Sequence, residues 1–220
     1  MSATAAAGFF DLDAFGAAPL QLEPFPYVIV PGFVRAGELA AIHADFPIID
    51  RAGSFPSSTL RYGATFGRLL AALEGPELTA RVAEKFAIDL SGRPTMVTVR
   101  GQARPTDGKI HCDSASKLIT ILIYLNDQWR EEGGQLRLLR SPDNLDDVAA
   151  EVPPTAGTIV AFKVTPNGWH GHRPFSGPRR VLQLNWVTDA GVVRREQARH
   201  RFSARLKRLN PFAGVTVSRA

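Results

Sequence analysis

The chain has 220 residues, 45% of them hydrophobic, and a formal net charge of +5. This length fits one large domain or two small ones, and the hydrophobic fraction is enough to fill a core. No apolar run approaches the roughly 20 residues of a membrane-spanning helix, and no basic segment of a secretory signal opens the chain. A single cysteine, Cys112, excludes an intrachain disulfide. We therefore predict a soluble, cytoplasmic protein without a transmembrane segment.

The predicted elements begin with a short strand in FPYVIVPGFV (residues 25–34), which Pro-Gly ends. Residues 35–46 carry apolar residues at helical spacing and predict a helix. Residues 50–64 are rich in Ser, Gly and Pro and predict a loop. Residues 65–88 give two short helical patterns, which break at Gly75-Pro76.

From Thr95 onward the pattern changes to strands. Turn-like clusters of Gly, Pro, Asp and Asn separate five runs rich in β-branched and aliphatic residues, TMVTVRG, KLITILIYLN, GGQLRLLR, GTIVAFKV and RRVLQLNWV. A helical part followed by a series of strands predicts a mainly β fold, in which flanking helices pack on a closed or sandwiched β structure.

The excess of positive charge lies at the C-terminal end. Residues 190–220 carry eight Lys or Arg and one acidic residue, a net charge of +7, whereas the preceding residues together carry −2. We predict a single domain over residues 1–190, with an N-terminal helical part, and a basic C-terminal helix or tail over residues 191–220. Such a tail suits nucleic acid or anionic lipid, but docking of its short apolar stripe on the body is the interpretation we favour.

Two His-x-Asp tripeptides occur, and the predicted backbone conformation shows which of them can bind a metal ion. In a helix, residues two apart point about 200° from each other, so His43 and Asp45, which lie in a helical pattern, cannot reach one ion. In extended backbone, residues two apart project to the same face, so His111 and Asp113 are candidate metal ligands. Cys112 lies between them, points the other way and is predicted to be a buried apolar filler.

A third ligand would complete the two-histidine, one-carboxylate set that is typical of non-haem iron(II) oxygenases. The segment TPNGWHGHRPF offers two imidazoles, His170 and His172, between the strand-like GTIVAF and the next predicted strand. His170 lies nine residues before Arg179.

The last predicted strand has two different faces. One face carries Arg180, Leu182, Leu184 and Trp186, and the other carries Arg179, Val181, Gln183 and Asn185. The second face is the more polar one and is predicted to line a ligand cavity, while the apolar face packs against helices. This pattern favours Arg179 over Arg180 as the bidentate partner of a buried carboxylate, and it makes Asn185 a candidate for contact with the substrate or support of the metal ligands.

In their order, these motifs resemble the iron(II)/2-oxoglutarate-dependent dioxygenases, and in particular their prolyl-hydroxylase-like branch. The ordered set is His-x-Asp, YLN, GGQLRLL, a strand ending in AF, Trp-His and an arginine nine residues on. The resemblance covers roughly residues 95–187, and the opening PYVIVPGFV is also usual for that branch. It implies a double-stranded β-helix core, of the jelly-roll or cupin-like kind, with helices packed on one side.

The resemblance also implies the site. His111, Asp113 and His170 would hold iron(II) and carry the catalysis, while Arg179 and Tyr124 would bind the distal carboxylate of the co-substrate 2-oxoglutarate. The reaction would consume O₂, with ascorbate as an optional further cofactor, and would couple hydroxylation of an unactivated C–H bond to conversion of 2-oxoglutarate into succinate and CO₂. The substrate would be a small molecule or a peptidyl residue such as proline. Neither its identity nor the oligomeric state is readable from the sequence.

Three alternatives remain open at this point. His172 departs from the pattern of the branch, and it would support the ligands, touch substrate or replace His170 on the metal. A cupin-like metal-binding protein that does not use 2-oxoglutarate would take two ligands from His170 and His172. A scaffold protein would instead act through its basic C-terminal tail.

Overall fold

The computed structural model describes residues 6–195. The predicted basic extension over 191–220 therefore lies outside the described residues except for its first five positions. The helices are α1 (Ala6–Phe9), α2 (Leu12–Ala17), α3 (Ala36–Ala44), α4 (Ala64–Leu73) and α5 (Pro76–Phe86), with a 3₁₀ turn over Ser57–Thr59. The strands are β1 (Tyr27–Val30), β2 (Phe55–Pro56), β3 (Thr95–Ala103), β4 (Lys117–Tyr124), β5 (Leu136–Leu139), β6 (Val148–Val152), β7 (Ile159–Lys163), β8 (His170–Gly171) and β9 (Gly177–Val187).

The strands form two sheets. The larger sheet has six strands in the order β1-β7-β4-β9-β3-β2, and the smaller has three in the order β6-β5-β8. All the strand pairs are antiparallel. Buried apolar side chains from both sheets form one cluster, so the two sheets face each other. This mainly β architecture with flanking helices confirms the predicted fold class.

The outer face of the six-stranded sheet carries the main apolar core. Helix α4 buries Phe66, Leu69 and Leu73, and these side chains belong to the same cluster as the outward-facing residues of the central strands. Those strand residues alternate with inward-facing ones, as period-two geometry requires. They include Ile119, Ile121 and Ile123 on β4, Ile159 and Ala161 on β7, and Leu182, Leu184 and Trp186 on β9. The helices therefore cover one face of the sheet and leave the other face to the interior between the sheets.

The predicted helices are confirmed. Helix α3 lies within the range 35–46, and α4 and α5 fill the range 65–88 almost completely. Gly75 caps α5 and Pro76 is its first residue, a position where the missing N–H of proline has no helical partner to lose. None of the helices in residues 6–195 is long and apolar enough to cross a membrane.

Several local expectations differ from the structure, among them the predicted loop over residues 50–64, which contains β2 and the 3₁₀ turn. Strand β6 was not predicted, because its sequence VAAEV is mostly half-buried or exposed and has little of the β-branched pattern that identifies strands. His111 and Asp113 do not lie in a regular strand either. His111 forms a single antiparallel bridge with His170, and the backbone up to β4 is otherwise irregular.

Candidate iron and 2-oxoglutarate site

A bridge between two distant segments brings together three of the predicted ligands. The His111 N–H donates to the His170 carbonyl at 3.0 Å, and the His170 N–H donates back to His111 over the same distance. Asp113 lies two residues beyond His111, on the same side. One ligand atom from each of His111, Asp113 and His170 lies within 4.8 Å of the other two, which is a spacing that fits one metal ion. Within residues 6–195, no other group of three or more such residues has this spacing.

The two imidazoles present the nitrogen that a metal needs. His111 Nδ1 lies 2.9 Å from the Lys109 carbonyl, and His170 Nδ1 lies 2.9 Å from the Gly168 carbonyl. A carbonyl oxygen only accepts hydrogen bonds, so each Nδ1 carries the proton and each Nε2 keeps a lone pair. Such backbone bonds orient a metal-binding histidine and select its tautomer.

The charge state of the group also suits a cation. Burial, together with a smaller contribution from His111, lowers the pKa of His170 to about 4 although Asp113 opposes the shift, so His170 is neutral at ordinary pH. Burial alone would raise the pKa of Asp113. The ammonium of Lys117, the proximity of His170 and hydrogen bonds from Lys117 and Thr120 outweigh burial and lower it. The site therefore offers the neutral imidazole of His170, the imidazole of His111 and one carboxylate.

Hydrogen bonds hold both oxygens of Asp113. Lys117 Nζ lies 2.7 Å from Oδ1, and the Thr120 hydroxyl donates to Oδ2 at 2.5 Å. Thr120 in turn accepts from Asn185 Nδ2 at 2.7 Å, and Asn185 Oδ1 accepts from Gln183 Nε2 at 3.0 Å. Thr120 and Asn185 are paired across β4 and β9 and are both buried. A chain of hydrogen bonds thus runs from Gln183, at the cavity wall, to the carboxylate.

A buried positive charge lies on the same inner face. Arg179 is 4% exposed, and its Nε donates to the Gly134 carbonyl at 2.8 Å. It has no ion-pair partner in the part of the chain that the structure describes. Its guanidinium lies 5.5 Å from the centre of the Tyr124 ring. The Tyr124 hydroxyl is buried and has no hydrogen-bond partner among residues 6–195.

The charges near Tyr124 and the missing partners point to one kind of ligand. Burial raises the pKa of Tyr124, although the charges of Arg179 and Arg100 oppose the shift, so the phenol keeps its proton. A buried guanidinium without an anionic partner and a buried phenol without a hydrogen-bond partner both cost free energy. A carboxylate bound between Arg179 and Tyr124 would satisfy both groups.

One cavity connects the metal group to Arg179. Its volume is about 120 Å³. The apolar part of its wall is Leu122, Leu136, Phe162 and Val181, and the polar part is Ser54, Thr98, Arg100, His111, Asp113, Thr120, His170, His172, Arg179 and Gln183. Gly108 and Gly171 complete the lining.

The predicted division of β9 into two faces is confirmed. Arg179, Val181 and Gln183 line the cavity, whereas Leu182, Leu184 and Trp186 pack in the outer core. Arg180 points to the outer side, where its guanidinium lies 5.1 Å from the centre of the Phe46 ring. Leu136 of β5 also lines the cavity.

His172 also lines the cavity but is not one of the three clustered ligands. Its Nδ1 donates to the Arg173 carbonyl at 2.9 Å, and burial lowers its pKa to about 4, with the charge of Arg179 adding to the shift. Gly108 has a φ of +84°, and a Cβ at that position would lie 2.4 Å from His172 Nδ1. Only glycine fits this close approach, which packs the loop before His111 against the imidazole.

The other candidates have structural roles. His43 Nδ1 lies 2.7 Å from Asp127 Oδ1, and Asp45 accepts from the Thr65 N–H at 2.6 Å, so these two side chains do not share a ligand. Cys112 is only half-buried, which differs from the expectation of a buried filler, because its thiol donates to the Pro166 carbonyl at 3.3 Å near the surface.

Sequence reasoning missed two residues that contact Asp113. These are Thr120 and Lys117. Thr120 could have been found, because it lies four residues before Tyr124 on β4 and therefore shares its face. Lys117 had no such signal, because its contact with Asp113 depends on how the segment between them turns into β4.

Comparison with known proteins agrees with this geometry. Residues 102–188 match the sequence model of the 2OG-Fe(II) oxygenase superfamily. No curated protein sequence matches the chain.

Among solved structures, the chain is similar in fold to a prolyl-4-hydroxylase from Pseudomonas putida, with 18% identity and a TM-score of 0.53 over 86% of this chain and 97% of that one. A 2OG-Fe(II) oxygenase family oxidoreductase from Burkholderia pseudomallei is 16% identical, with a TM-score of 0.53 over 80% of this chain and 90% of that one. HygX from Streptomyces hygroscopicus, solved with nickel and 2-oxoglutarate bound, is 14% identical, with a TM-score of 0.51 over 74% and 82% of the two chains.

These structures share the double-stranded β-helix fold that the two facing sheets form here. The group of His111, Asp113 and His170 lies within the matched region. Residues 102–188 thus match a 2OG-Fe(II) oxygenase domain, which supports a dioxygenase that uses iron(II) and 2-oxoglutarate.

Proposed function

We propose that the protein hydroxylates an unactivated C–H bond of a small molecule or a peptidyl residue. One C–H bond, one O₂ and one 2-oxoglutarate would be converted into one C–OH, one succinate and one CO₂. The observation that carries this proposal is a single cavity with a metal-binding group at one side and a buried arginine without an anionic partner, among residues 6–195, at the other. These are the two attachment points that a metal-chelated dicarboxylate requires.

His111, Asp113 and His170 would hold the iron. Two imidazoles, each with its Nδ1 bonded to a backbone carbonyl, and one carboxylate are the donor set expected for non-haem iron(II) with open coordination positions. When bound, iron(II) and 2-oxoglutarate supply the O₂-dependent oxidation, which no side chain provides by itself. The backbone carbonyls of Lys109 and Gly168 would keep both rings in the required tautomer.

Arg179 and Tyr124 would bind the distal carboxylate of 2-oxoglutarate. Arg179 supplies a fixed guanidinium whose Nε is already bonded to Gly134, and Tyr124 supplies a buried hydroxyl that needs an acceptor. The apolar wall of Leu122, Leu136, Phe162 and Val181 would exclude water from the bound co-substrate.

Thr120 and Asn185 would act as positioning residues. Their hydrogen bonds fix Asp113 Oδ2, and a metal would take Oδ1 in place of the Lys117 ammonium. This is the supporting role that the sequence suggested for Asn185. His172 would form part of the cavity wall and does not belong to the ligand group.

The other functions are less well supported. A cupin-like site that uses His170 and His172 would leave Asp113 without a role and Arg179 without a partner in the described part of the chain. The residues of a scaffold tail lie beyond residue 195 and offer no structural support. A cytoplasmic location, ascorbate dependence and the partition at residue 190 remain our proposals, the first supported by the single cysteine.

Anaerobic titration tests the proposal. The wild-type protein with iron(II) and 2-oxoglutarate should develop the weak visible charge-transfer band of the chelate, and His170→Ala should lose it. His172→Ala is the matched control and should keep the band. Absence of the band from wild-type protein, or its loss in His172→Ala with retention in His170→Ala, would contradict the assignment.

A further inference from the structure

A second guanidinium enters the cavity, and the proposed function does not use it. Arg100 projects from β3, where it pairs with Val181, and Tyr124 pairs with Val181 from the other side. These three side chains therefore lie side by side on the inner face of the sheet. Burial and the charge of Arg179 lower the pKa of Arg100, although Asp107 opposes the shift. The two guanidinium groups are thus close enough for their charges to repel each other.

Among residues 6–195, Asp107 is the one acid that forms an ion pair with Arg100, and it is already engaged. Arg100 Nη1 lies 3.6 Å from Asp107 Oδ2, which is an ion-pair distance but too long for a hydrogen bond. Asp107 accepts instead from the backbone N–H of Arg104 at 3.2 Å and from Arg104 Nε at 3.1 Å. The guanidinium of Arg100 donates no hydrogen bond to any residue that the structure describes. The side chain is 29% exposed, so part of it reaches solvent.

The charges remain unbalanced when the proposed cofactors are bound. Iron(II) and Arg179 bring three positive charges, and 2-oxoglutarate and Asp113 bring three negative ones, so this set is neutral. Arg100 and Arg104 share the single negative charge of Asp107, and Lys117, at Asp113, adds one more positive charge. The cavity therefore keeps a positive potential after the co-substrate has entered.

Space and polarity near Arg100 suit a small polar ligand. A volume of about 120 Å³ leaves little room beyond the co-substrate, so the reacting molecule must bind towards the accessible side. Beside Arg100 the cavity wall offers Thr98, whose hydroxyl accepts from Ser54 Oγ at 3.1 Å, and Gln183, which pairs with Thr98 across the two strands. These groups form hydrogen bonds but supply no negative charge.

We propose that Arg100 binds a carboxylate of the primary substrate, so that the substrate class is a small carboxylic acid, such as a free amino acid, rather than an uncharged peptide segment. A guanidinium binds a carboxylate through two parallel hydrogen bonds, which fix orientation as well as position. This inference rests on the proposed function, because it assigns Arg179 to 2-oxoglutarate and leaves Arg100 for the second anion.

Relaxation of acetate protons tests this subsite. The protein is loaded with Mn(II) and saturating 2-oxoglutarate, and the longitudinal relaxation of the methyl protons of acetate is followed with increasing acetate. Acetamide, which has the same shape but no charge, is the neutral comparison. Paramagnetic enhancement should saturate for acetate and remain small for acetamide.

Two variants should change acetate binding in opposite directions, and a third is their control. Arg100→Met should weaken acetate binding about tenfold or more, because a hydrogen bond between charged groups contributes about 1.5–3 kcal/mol. Asp107→Asn should strengthen acetate binding, because it removes the competing negative charge. Arg68→Met is the matched control, since Arg68 is exposed on α4, bonds only to Thr65 and makes the same change in net charge.

The outcomes separate this inference from the proposed function. Equal effects of acetate and acetamide, or unchanged acetate binding in Arg100→Met, would overturn it while leaving the 2-oxoglutarate site intact. A tenfold loss of 2-oxoglutarate affinity in Arg100→Met would also overturn it, because Arg100 would then bind the co-substrate. Failure of wild-type protein to form the iron and 2-oxoglutarate band would instead contradict the proposed function itself. That band in Arg100→Met also checks that the variant is folded.

Discussion

The two faces of the six-stranded sheet bury different chemistry. On the outer face, β9 contributes Leu184 and Trp186 to an apolar core shared with the helices. On the inner face, the same strand buries Arg179 at the cavity wall and Asn185 behind it, against Thr120. Both faces bury side chains, but only those of the outer face are apolar and need no hydrogen-bond or ion-pair partner.

The outer face of the sheet contributes mainly to stability, whereas the inner face contributes mainly to ligand binding. Apolar burial on the outer face lowers the free energy of the folded state in proportion to the area removed from water. On the inner face, the buried charge of Arg179 costs free energy until an anion arrives. The strands therefore hold a ligand site on one side because the helices stabilise the other. The four predictions that follow compare the faces, beginning with the largest effect.

Adjacent residues of β9 should have unequal effects on stability. Leu184→Ala should lower the free energy of unfolding by about 2–5 kcal/mol, because it leaves a void in the outer core. Gln183→Ala should lower it by about 1 kcal/mol, the typical net contribution of one hydrogen bond, here the one to Asn185. Urea unfolding of the metal-free proteins measures both. Equal losses would mean that the inner face contributes as much to stability as the outer one.

Substitution of two neighbouring arginines of β9 should have different effects on the affinity for 2-oxoglutarate. Arg179→Met should weaken 2-oxoglutarate binding at least about tenfold, because the distal carboxylate loses its charged partner. Its stability should fall less than that of Leu184→Ala, since loss of the hydrogen bond to Gly134 is offset by relief of a buried charge. Arg180→Met, on the other face against Phe46, is the control and should bind 2-oxoglutarate normally. Titration of the chelate band measures the affinity, and a normal affinity in Arg179→Met would refute the assignment.

The hydrogen bond to Asp113 should affect the metal. Thr120→Val keeps the shape of the side chain but removes the hydroxyl that binds Asp113 and Asn185. Metal affinity should fall about 10- to 100-fold, as is typical when the support of a ligand is removed. Thr98→Val, which removes a hydroxyl from the same cavity without contact to Asp113, should change Mn(II) affinity little. Similar losses in both variants would point to general damage rather than positioning.

The smallest expected effect has the opposite sign. Lys117→Met removes a positive charge 2.7 Å from Asp113, so Mn(II) affinity should rise. The gain should stay below about tenfold, because a flexible lysine can move its ammonium into solvent when a cation competes. Lys109→Met, at an exposed neighbouring lysine, is the control for the change in net charge. A weaker affinity in Lys117→Met would mean that the lysine supports the carboxylate more than it repels the metal.

The sequence by itself determined the features that depend on local geometry. Alternation along β9 divided Arg179, Val181, Gln183 and Asn185 from the outer apolar residues, because successive side chains of a strand point to opposite faces. The pair of His111 and Asp113 was readable for the same reason, even though their backbone forms only one bridge and not a regular strand. Proline at the start of α5 likewise predicted the break between two helices.

Only the tertiary structure decided between candidates that share a strand or a motif. His170 rather than His172 joins the metal group because the bridge to His111 sets which imidazole faces Asp113. Thr120 reaches Asp113, and Arg100 enters the cavity beside Val181, because of the register in which β4 and β3 pair with β9. Register and the paths of loops join residues far apart in the chain, and no local periodicity specifies them.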